Sequence, residues 1–479
     1  MNIANCSSLV IYILKFQYYE TGRKMRFERV KSEGLEHISY FASSEGQAAV
    51  IDPRRDCEVY LDLAKKEESK IKFIFETHRN EDYVIGSLEL AKLTGASIFH
   101  GSGLDFKYGE GAADGQNFSF GALRLTALQT PGHTPESMSY ALSNIDDGEK
   151  PFLVFTGDTL FVGEVGRTDL SGPEKAELMS GKLYDSIFKK LLPLGEGVII
   201  CPAHSGGSIC GRAISDREQS TIGLEQLNNP ALQKDKKDFV QTKISELLET
   251  PPYFKTMERY NLEGPPFLSK SKTISPLSTR EFEMKMKSGA LVLDTRSPLA
   301  FGGAHVKGSY SIWLKGIPSF TGWFLPYDKS ILLILEEKEH LDQAFRYLVR
   351  LGYDQVEGYL GGGLSRWYGR ALPLEHLGLL TVQQFKGRLS EGGRMVVLDV
   401  RTEEEWEEGH IEGAIHIYVG HLPEHIKEFS KDEPIAVICS IGNRSSIGAS
   451  ILRREGYFEV YNVLGGMTAW KNAGYLTIR

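Results

Sequence analysis

The stretch Ile71-Lys-Phe-Ile-Phe75-Glu-Thr-His78-Arg-Asn80-Glu-Asp82-Tyr83 runs a short apolar segment straight into a dense set of polar side chains. Residues 71–75 are rich in branched and aromatic residues, which predicts a β-strand. His78 and Asp82 then sit just past its end. The pattern recurs. Residues 152–155 lead into Thr156-Gly-Asp158, and residues 197–200 lead into Pro202-Ala-His204. Ala49-Val-Ile-Asp52 and Leu123-Arg-Leu-Thr-Ala127 also read as strands, with helical stretches at 57–66 and 87–93. A further histidine lies in the loop Pro131-Gly-His-Thr134. Polar groups on loops at strand ends are where α/β proteins build sites. Residues 25–229 are therefore expected to form one α/β domain whose site gathers His78, Asp82, His133, Asp158 and His204.

Outward from that domain the character changes. Residues 230–272 are rich in Lys, Glu, Asn and Pro and read as a closing helix (about 239–248) plus a linker containing Pro251-Pro252 and Pro265-Pro266. Beyond it the chain repeats itself. Asp294-Thr-Arg296, Phe301, His305 and Gly308 recur 105 positions later as Asp399-Val-Arg401, Trp406, His410 and Gly413. Gly352-Tyr353 and Leu360-Gly-Gly362 recur 104 positions later as Gly456-Tyr457 and Leu464-Gly-Gly466. Two small α/β modules with parallel sheets are predicted, at 273–372 and 373–479.

Composition narrows the function classes. A length of 479 residues suits about three domains. The net charge of −8, without a basic block, argues against nucleic acid as a partner. The five cysteines, Cys6, Cys57, Cys201, Cys210 and Cys439, are odd in number and widely spaced, with no CxxC pair. That speaks against a disulfide framework and a zinc knuckle, and for a reducing cytoplasm. Cys57, Cys201 and Cys210 are expected to be packing or surface residues. Leu9-Val-Ile-Tyr-Ile-Leu14 is too short to span a membrane and is poorly flanked for a signal peptide. Residues 1–24 are read as a start-site extension or loosely attached arm, with no stable membrane association.

The order Thr-His78, Pro-Gly-His133-Thr, Thr-Gly-Asp158-Thr and Pro-Ala-His204 resembles the metallo-β-lactamase superfamily, which implies an αββα sandwich. That superfamily's first motif is usually His-x-His-x-Asp-His. Here Asn80 and Tyr83 stand where two of its histidines would be, so two zinc ions cannot be bound in the usual way. His78, His133 and Asp158 remain. Two imidazoles and a carboxylate form the facial triad of mononuclear non-haem iron oxygenases. Within the superfamily this subset resembles the ligands of persulfide dioxygenases, implying one Fe(II) per chain. Gly166-Arg-Thr-Asp169 resembles the same subfamily, which makes Arg167 the expected contact for a thiol carrier. Asp169 and Asp82 are expected to orient neighbouring groups, and His204 to hydrogen-bond substrate or water.

In the second module, Cys439-Ser-Ile-Gly-Asn-Arg444 follows the apolar run Pro434-Ile-Ala-Val-Ile438 and precedes a helix predicted from about Ser445 to Arg454. Backbone N–H groups and the helix dipole can then stabilise a thiolate or persulfide. This loop resembles the rhodanese active loop. The resemblance implies that Cys439 is the nucleophile, Arg444 an oxyanion holder, and Ser440, Ile441, Gly442 and Asn443 the substrate cradle. At the repeat offset of 104, Cys439 maps to Leu335 and the loop to Glu336-Glu-Lys-Glu-His340, so the first module is expected to be a pseudo-rhodanese. The whole implies O2-dependent oxidation of a persulfide of glutathione, coenzyme A, bacillithiol or a protein thiol, coupled to sulfur transfer involving sulfite and thiosulfate. The family also implies self-association as a dimer or tetramer. Three other readings stay open: a sulfurtransferase with a non-oxygenase scaffold, a mononuclear zinc thioester hydrolase, and a purely structural or signalling role.

Overall fold

The computed structural model describes residues 25–148, 150–208, 211, 213–246, 248–268, 274–392 and 394–479. The proposed N-terminal arm, Cys6 and Cys210 lie outside the described residues. Contacts divide the chain into two compact units, the first running to Leu268 and taking in Val349–Gly352, the second holding the rest.

Among the described residues, the first unit holds two six-stranded sheets. One runs in sequence order through Met25–Ser32, His37–Ser44, Gln47–Ile51, Lys70–Phe75, Ser97–Gly101 and Glu110–Ala112. The other runs Ser220–Thr221, Ile199–Pro202, Pro151–Gly157, Met138–Asn144, Leu123–Gln129 and Asn117–Phe120. Alternation along these strands gives each sheet two apolar faces. Between the sheets lies an aromatic core that includes Phe27, Tyr40, Phe75, Phe118, Phe120, Tyr140 and Phe155. On the outer face of the first sheet, Tyr60, Leu63 and Leu90 from helices Glu58–Lys66 and Ser87–Thr94 pack on Phe41, Val50 and Ile74. On the outer face of the second, Leu183 and Phe239 from helices Ala176–Ser186 and Lys236–Ile244 pack on Ala141 and Val154. The layering is α/β/β/α.

Three local expectations shift. The strand expected at 197–200 is Ile199–Pro202. The closing helix is Lys236–Ile244, starting earlier because the Asp235 carboxylate accepts the Asp238 N–H at 2.9 Å and caps it. The expected linker contains a helix, Phe254–Glu263, that buries Phe254, Met257 and Asn261. Pro251-Pro252 is not a spacer: the Pro251 carbonyl accepts the Phe254 N–H and starts that helix.

The second unit holds the repeat as two five-stranded parallel sheets. The first is ordered Pro276–Leu277, Val356–Leu360, Ile331–Ile334, Leu291–Asp294, Tyr310–Ser311. The second is ordered Gly378–Leu380, Val460–Val463, Ile435–Ile438, Val396–Asp399, Ile415–His416. Each has the same strand order. Asp294 and Asp399 close equivalent strands and each carboxylate binds the guanidinium two residues on, Arg296 and Arg401, through two bonds. These pairs are buried and brace the loop that follows. The helix Asn443–Arg454 of the second module packs on the first module's edge strand. Ser311 N–H donates to Ser450 Oγ at 3.1 Å, and Ser311 Oγ lies 2.8 Å from Ser446 Oγ. The Arg454 guanidinium lies over the Tyr310 ring at 3.7 Å. The pseudo-module therefore grips the helix that follows the Cys439 loop. No helix among the described residues is long and apolar enough to cross a membrane.

Candidate functional site

The first site forms where strands Lys70–Phe75 and Pro151–Gly157 and the loop after Gln129 end together. His78 is aimed by a hydrogen-bond chain. Asp52 accepts the Thr77 N–H at 2.7 Å and the Thr77 hydroxyl at 2.8 Å. With its proton committed to Asp52, Thr77 Oγ1 accepts from His78 Nδ1 at 2.9 Å. That leaves the Nε2 lone pair facing inward, and Nε2 is buried with no hydrogen-bond partner among the described residues. His133 is set the same way: Nδ1–H donates to the Arg167 carbonyl at 2.9 Å, turning Nε2 to the same point. A second partner on the far nitrogen that selects the tautomer is how proteins orient metal-binding histidines. Two glycines make the approach feasible. A Cβ on Gly157 would fall 2.6 Å from Thr77 Oγ1, and one on Gly166 would fall 2.0 Å from the Asp158 carbonyl oxygen.

Asp158 Oδ2 completes the trio, 3.7 Å from His78 Nε2 and 3.5 Å from His133 Nε2. The structure adds a fourth group that the sequence reading missed. Glu81 Oε1 lies 3.0 Å from His133 Nε2, and ligand atoms of His78, Glu81, His133 and Asp158 all fall within 4.8 Å of one another. All four are buried. A buried set of two imidazoles and two carboxylates fits a divalent cation by charge and donor type. Burial pushes the carboxyls up. In Glu81 the His133 ring overcomes this and holds the group down at about 2. In Asp158 the rings of His204 and His78 hold it well below the usual range. Burial disfavours charge on His133 too, yet the Glu81 carboxylate raises it to about 9. His78, mainly desolvated, falls to about 4.

His204 serves the site without joining the cluster. Its Nδ1 lies 2.8 Å from Asp158 Oδ1 and its Nε2 3.0 Å from Asp82 Oδ2. Both ring nitrogens are engaged by carboxylates. Tyr83 fills the place of a second-metal histidine, its ring 4.0 Å from that of His37. Asn80 has φ of +51° and turns its amide back to donate to the His78 carbonyl at 2.9 Å. The groups a second ion would need are thus turned away or replaced.

Arg167, the expected contact for a thiol carrier, has its guanidinium bonded within the chain. Its buried guanidinium makes two 2.7 Å bonds to Asp169 and also donates to the Glu249 carbonyl at 3.0 Å and Thr250 Oγ1 at 3.1 Å. It clamps a surface segment instead of facing the site, and reaches the cluster only through its carbonyl on His133. Asp169 holds that clamp.

The second site lies in the second unit. Cys439 ends strand Ile435–Ile438 and is buried. Gly442, at φ +102°, turns its N–H to Cys439 Sγ at 3.1 Å, and Ser445 Oγ lies 3.3 Å away. The helix begins at Asn443, two residues earlier than expected, so its N-terminus sits beside the sulfur. Ile441 is exposed at the loop tip. Arg444 makes bonds of 2.6 and 2.7 Å to Glu405, and a third of 2.7 Å to Ser440 Oγ, whose hydroxyl also donates to Glu405. Glu405 was not read from the sequence; its signal was its place just before Trp406 in the repeat, where the first module has Ala300. Burial raises its carboxyl, but Arg444 and Ser440 bring it down to about 2. In the first module Leu335 occupies the cysteine position, and the Glu336 carboxylate accepts the Ser297 N–H at 3.0 Å.

Family models agree with this geometry. Residues 34–204 match the metallo-beta-lactamase superfamily, and residues 278–370 and 381–473 each match the rhodanese-like domain. The chain is a metallo-beta-lactamase domain fused to two rhodanese-like domains. Its metallo-beta-lactamase domain is 38% identical over 127 residues to the cytoplasmic hydroxyacylglutathione hydrolase of Arabidopsis thaliana, covering 26% of this chain and 48% of that protein. It is 28% identical over 220 residues to hydroxyacylglutathione hydrolase GloC of Haemophilus influenzae, covering 41% and 92%. A metallo-beta-lactamase crystal structure from Staphylococcus aureus superposes with a TM-score of 0.62 at 29% identity, covering 70% of this chain and 98% of that one. The chain spans about half the length of the first curated relatives it matches. Both kinds of domain are of enzyme type.

Proposed function

We propose that the metallo-beta-lactamase domain oxidises a thiol persulfide to sulfite with dioxygen at one ferrous ion, and that Cys439 carries sulfane sulfur in the second rhodanese-like domain. The observation that supports this most is His204, bonded to Asp158 on one side and Asp82 on the other. With Asn80 and Tyr83, it argues for a single-metal centre instead of the paired metals of a hydrolase. His78, His133 and Asp158 would hold the iron. Iron there would supply redox chemistry between dioxygen and the persulfide sulfur. In balance, one persulfide, one dioxygen and one water give one thiol, one sulfite and two protons. The Asp52–Thr77 chain and the Arg167 carbonyl each take up an Nδ1 proton and turn both imidazoles so that Nε2 points inward.

At Cys439 a persulfide anion would receive the Gly442 N–H and the helix N-terminus. Attack by sulfite on its outer sulfur breaks the S–S bond, returns the Cys439 thiolate and forms thiosulfate. The thiol carrier is a small thiol such as glutathione, coenzyme A or bacillithiol, or a protein cysteine. The three free, buried cysteines among the described residues suit a reducing cytoplasm.

The likeness to hydroxyacylglutathione hydrolases favours a second reading, thioester hydrolysis at one zinc. Anaerobically purified protein separates the two. The oxygenase reading expects about one iron per chain, and O2 uptake with sulfite release on adding glutathione persulfide and air. Zinc-dependent cleavage of acyl-glutathione that is indifferent to oxygen, without sulfite, would replace it.

A further inference from the structure

We propose that Glu81 is a fourth protein ligand of the metal centre, making it a two-histidine, two-carboxylate site. The inference rests on the reading of His78, His133 and Asp158 as ligands, and adds to it a residue outside the superfamily's usual motif. The local backbone explains why position 81 takes this part. Asn80 adopts φ +51°, a left-handed conformation that asparagine tolerates better than most residues. Its side chain folds back on the His78 carbonyl. The turn carries the next side chain inward, so Glu81 reaches the imidazole of His133.

The turn is held from outside. Asn261, fully buried on helix Phe254–Glu263, donates to the carbonyls of Asn80 at 2.7 Å and Tyr83 at 2.8 Å and accepts the Ile85 N–H at 3.0 Å. Glu81 is therefore aimed by a braced loop. Its Oε1 stands 3.0 Å from His133 Nε2, and the lone Nε2 of His78 is buried without a hydrogen-bond partner among the described residues, pointing at the same space. Four donors converge within 4.8 Å of one another.

The consequence is chemical. Two carboxylates neutralise a dication completely inside a buried site, where an uncompensated charge is costly. A fourth protein ligand would also leave the metal less open to exogenous ligands than three would.

The test uses the full chain loaded with Co(II) or Fe(II), comparing the wild type with Glu81→Gln, Glu81→Asp and Glu81→Ala. Metal affinity is measured by competition with a chelator, and coordination by the Co(II) visible spectrum. The expected result is a loss of affinity of at least about tenfold in Glu81→Gln and more in Glu81→Ala, with Glu81→Asp retaining more affinity than either and an altered Co(II) spectrum in all three. If Glu81 only pairs with His133, its removal frees Nε2, and unchanged or tighter binding with an unchanged spectrum overturns the proposal while the three-residue site stands. A wild type that binds no metal would overturn the underlying site as well. Thermal unfolding of each metal-free variant identifies any that fails to fold, and Glu81→Gln, equal in size and shape, carries the decision.

Discussion

Asp158 serves two duties with one carboxylate: Oδ2 faces the paired imidazoles, and His204 Nδ1 lies 2.8 Å from Oδ1 and 3.0 Å from Oδ2. The second duty turns a histidine that elsewhere in this fold would hold another ion into a brace. His204→Ala should therefore leave the metal stoichiometry at about one per chain while lowering affinity about 10–100-fold, as loss of a ligand's outer partner does. Metal analysis before and after substitution checks this. A fall in stoichiometry from two to one would show that His204 is itself a ligand.

Asn261 links helix Phe254–Glu263 to the loop that carries Glu81 through three hydrogen bonds. Asn261→Ala strands buried backbone groups and should cost about 2–4 kcal/mol of stability in the first unit. Metal affinity should fall with it. Chemical denaturation and a chelator competition measure the two effects; a stable variant with normal affinity would mean the loop holds itself.

The two chemistries should separate by mutation. Cys439→Ser removes the proposed sulfur carrier and leaves the residues of the first unit's cluster unchanged, so thiosulfate formation should disappear while O2 uptake with persulfide continues. Paired assays of sulfite and thiosulfate decide it. Loss of both activities would require sulfur to pass through Cys439 first.

Glu405 ties Arg444 and Ser440 into one network on the active loop. Glu405→Gln removes the charge that fixes the guanidinium, a charge-assisted pair contributing about 1–3 kcal/mol. Sulfurtransferase kcat/KM for thiosulfate should drop about tenfold, and iodoacetamide should reach Cys439 faster as the cradle loosens. Unchanged kinetics and alkylation rates would make Glu405 a bystander.

His305 in the pseudo-module is buried neutral, its ring stacked 3.9 Å from Phe301 and Nδ1–H bonded to the Phe301 carbonyl. Burial, opposed by that bond, lowers it to about 4. Between the unfolded value of about 6.5 and 4, the unfolded chain binds the extra proton, so stability falls as pH drops through that window and levels below it. The loss should approach about 3 kcal/mol. Urea unfolding of the second unit at pH 7 and pH 4.5, with and without His305→Phe, measures it; an equal slope in both proteins would rule His305 out.

The repeat, the active cysteine loop and the paired His78 and His133 were legible because each depends on local order: a strand followed at once by a polar loop, or a pattern returning at a constant offset. The helix Phe254–Glu263 was hidden by Pro251-Pro252, since prolines mark a spacer and a helix start alike. The partners of Arg167 were hidden for a related reason. Sequence places a guanidinium near a site but does not say which carboxylate reaches it first, and here Asp169 is two residues away.

By itself, the amino-acid order determined the three-domain plan, the loss of two customary metal histidines and the presence of one equipped cysteine loop, because periodicity and residue chemistry are properties of neighbours along the chain. Only the tertiary structure decided that Glu81 turns inward, that His204 spends both nitrogens on carboxylates, and that Glu405 engages Arg444. Each of those outcomes depends on one backbone angle or on the meeting of residues tens to hundreds of positions apart, and burial then sets which of the groups carry charge.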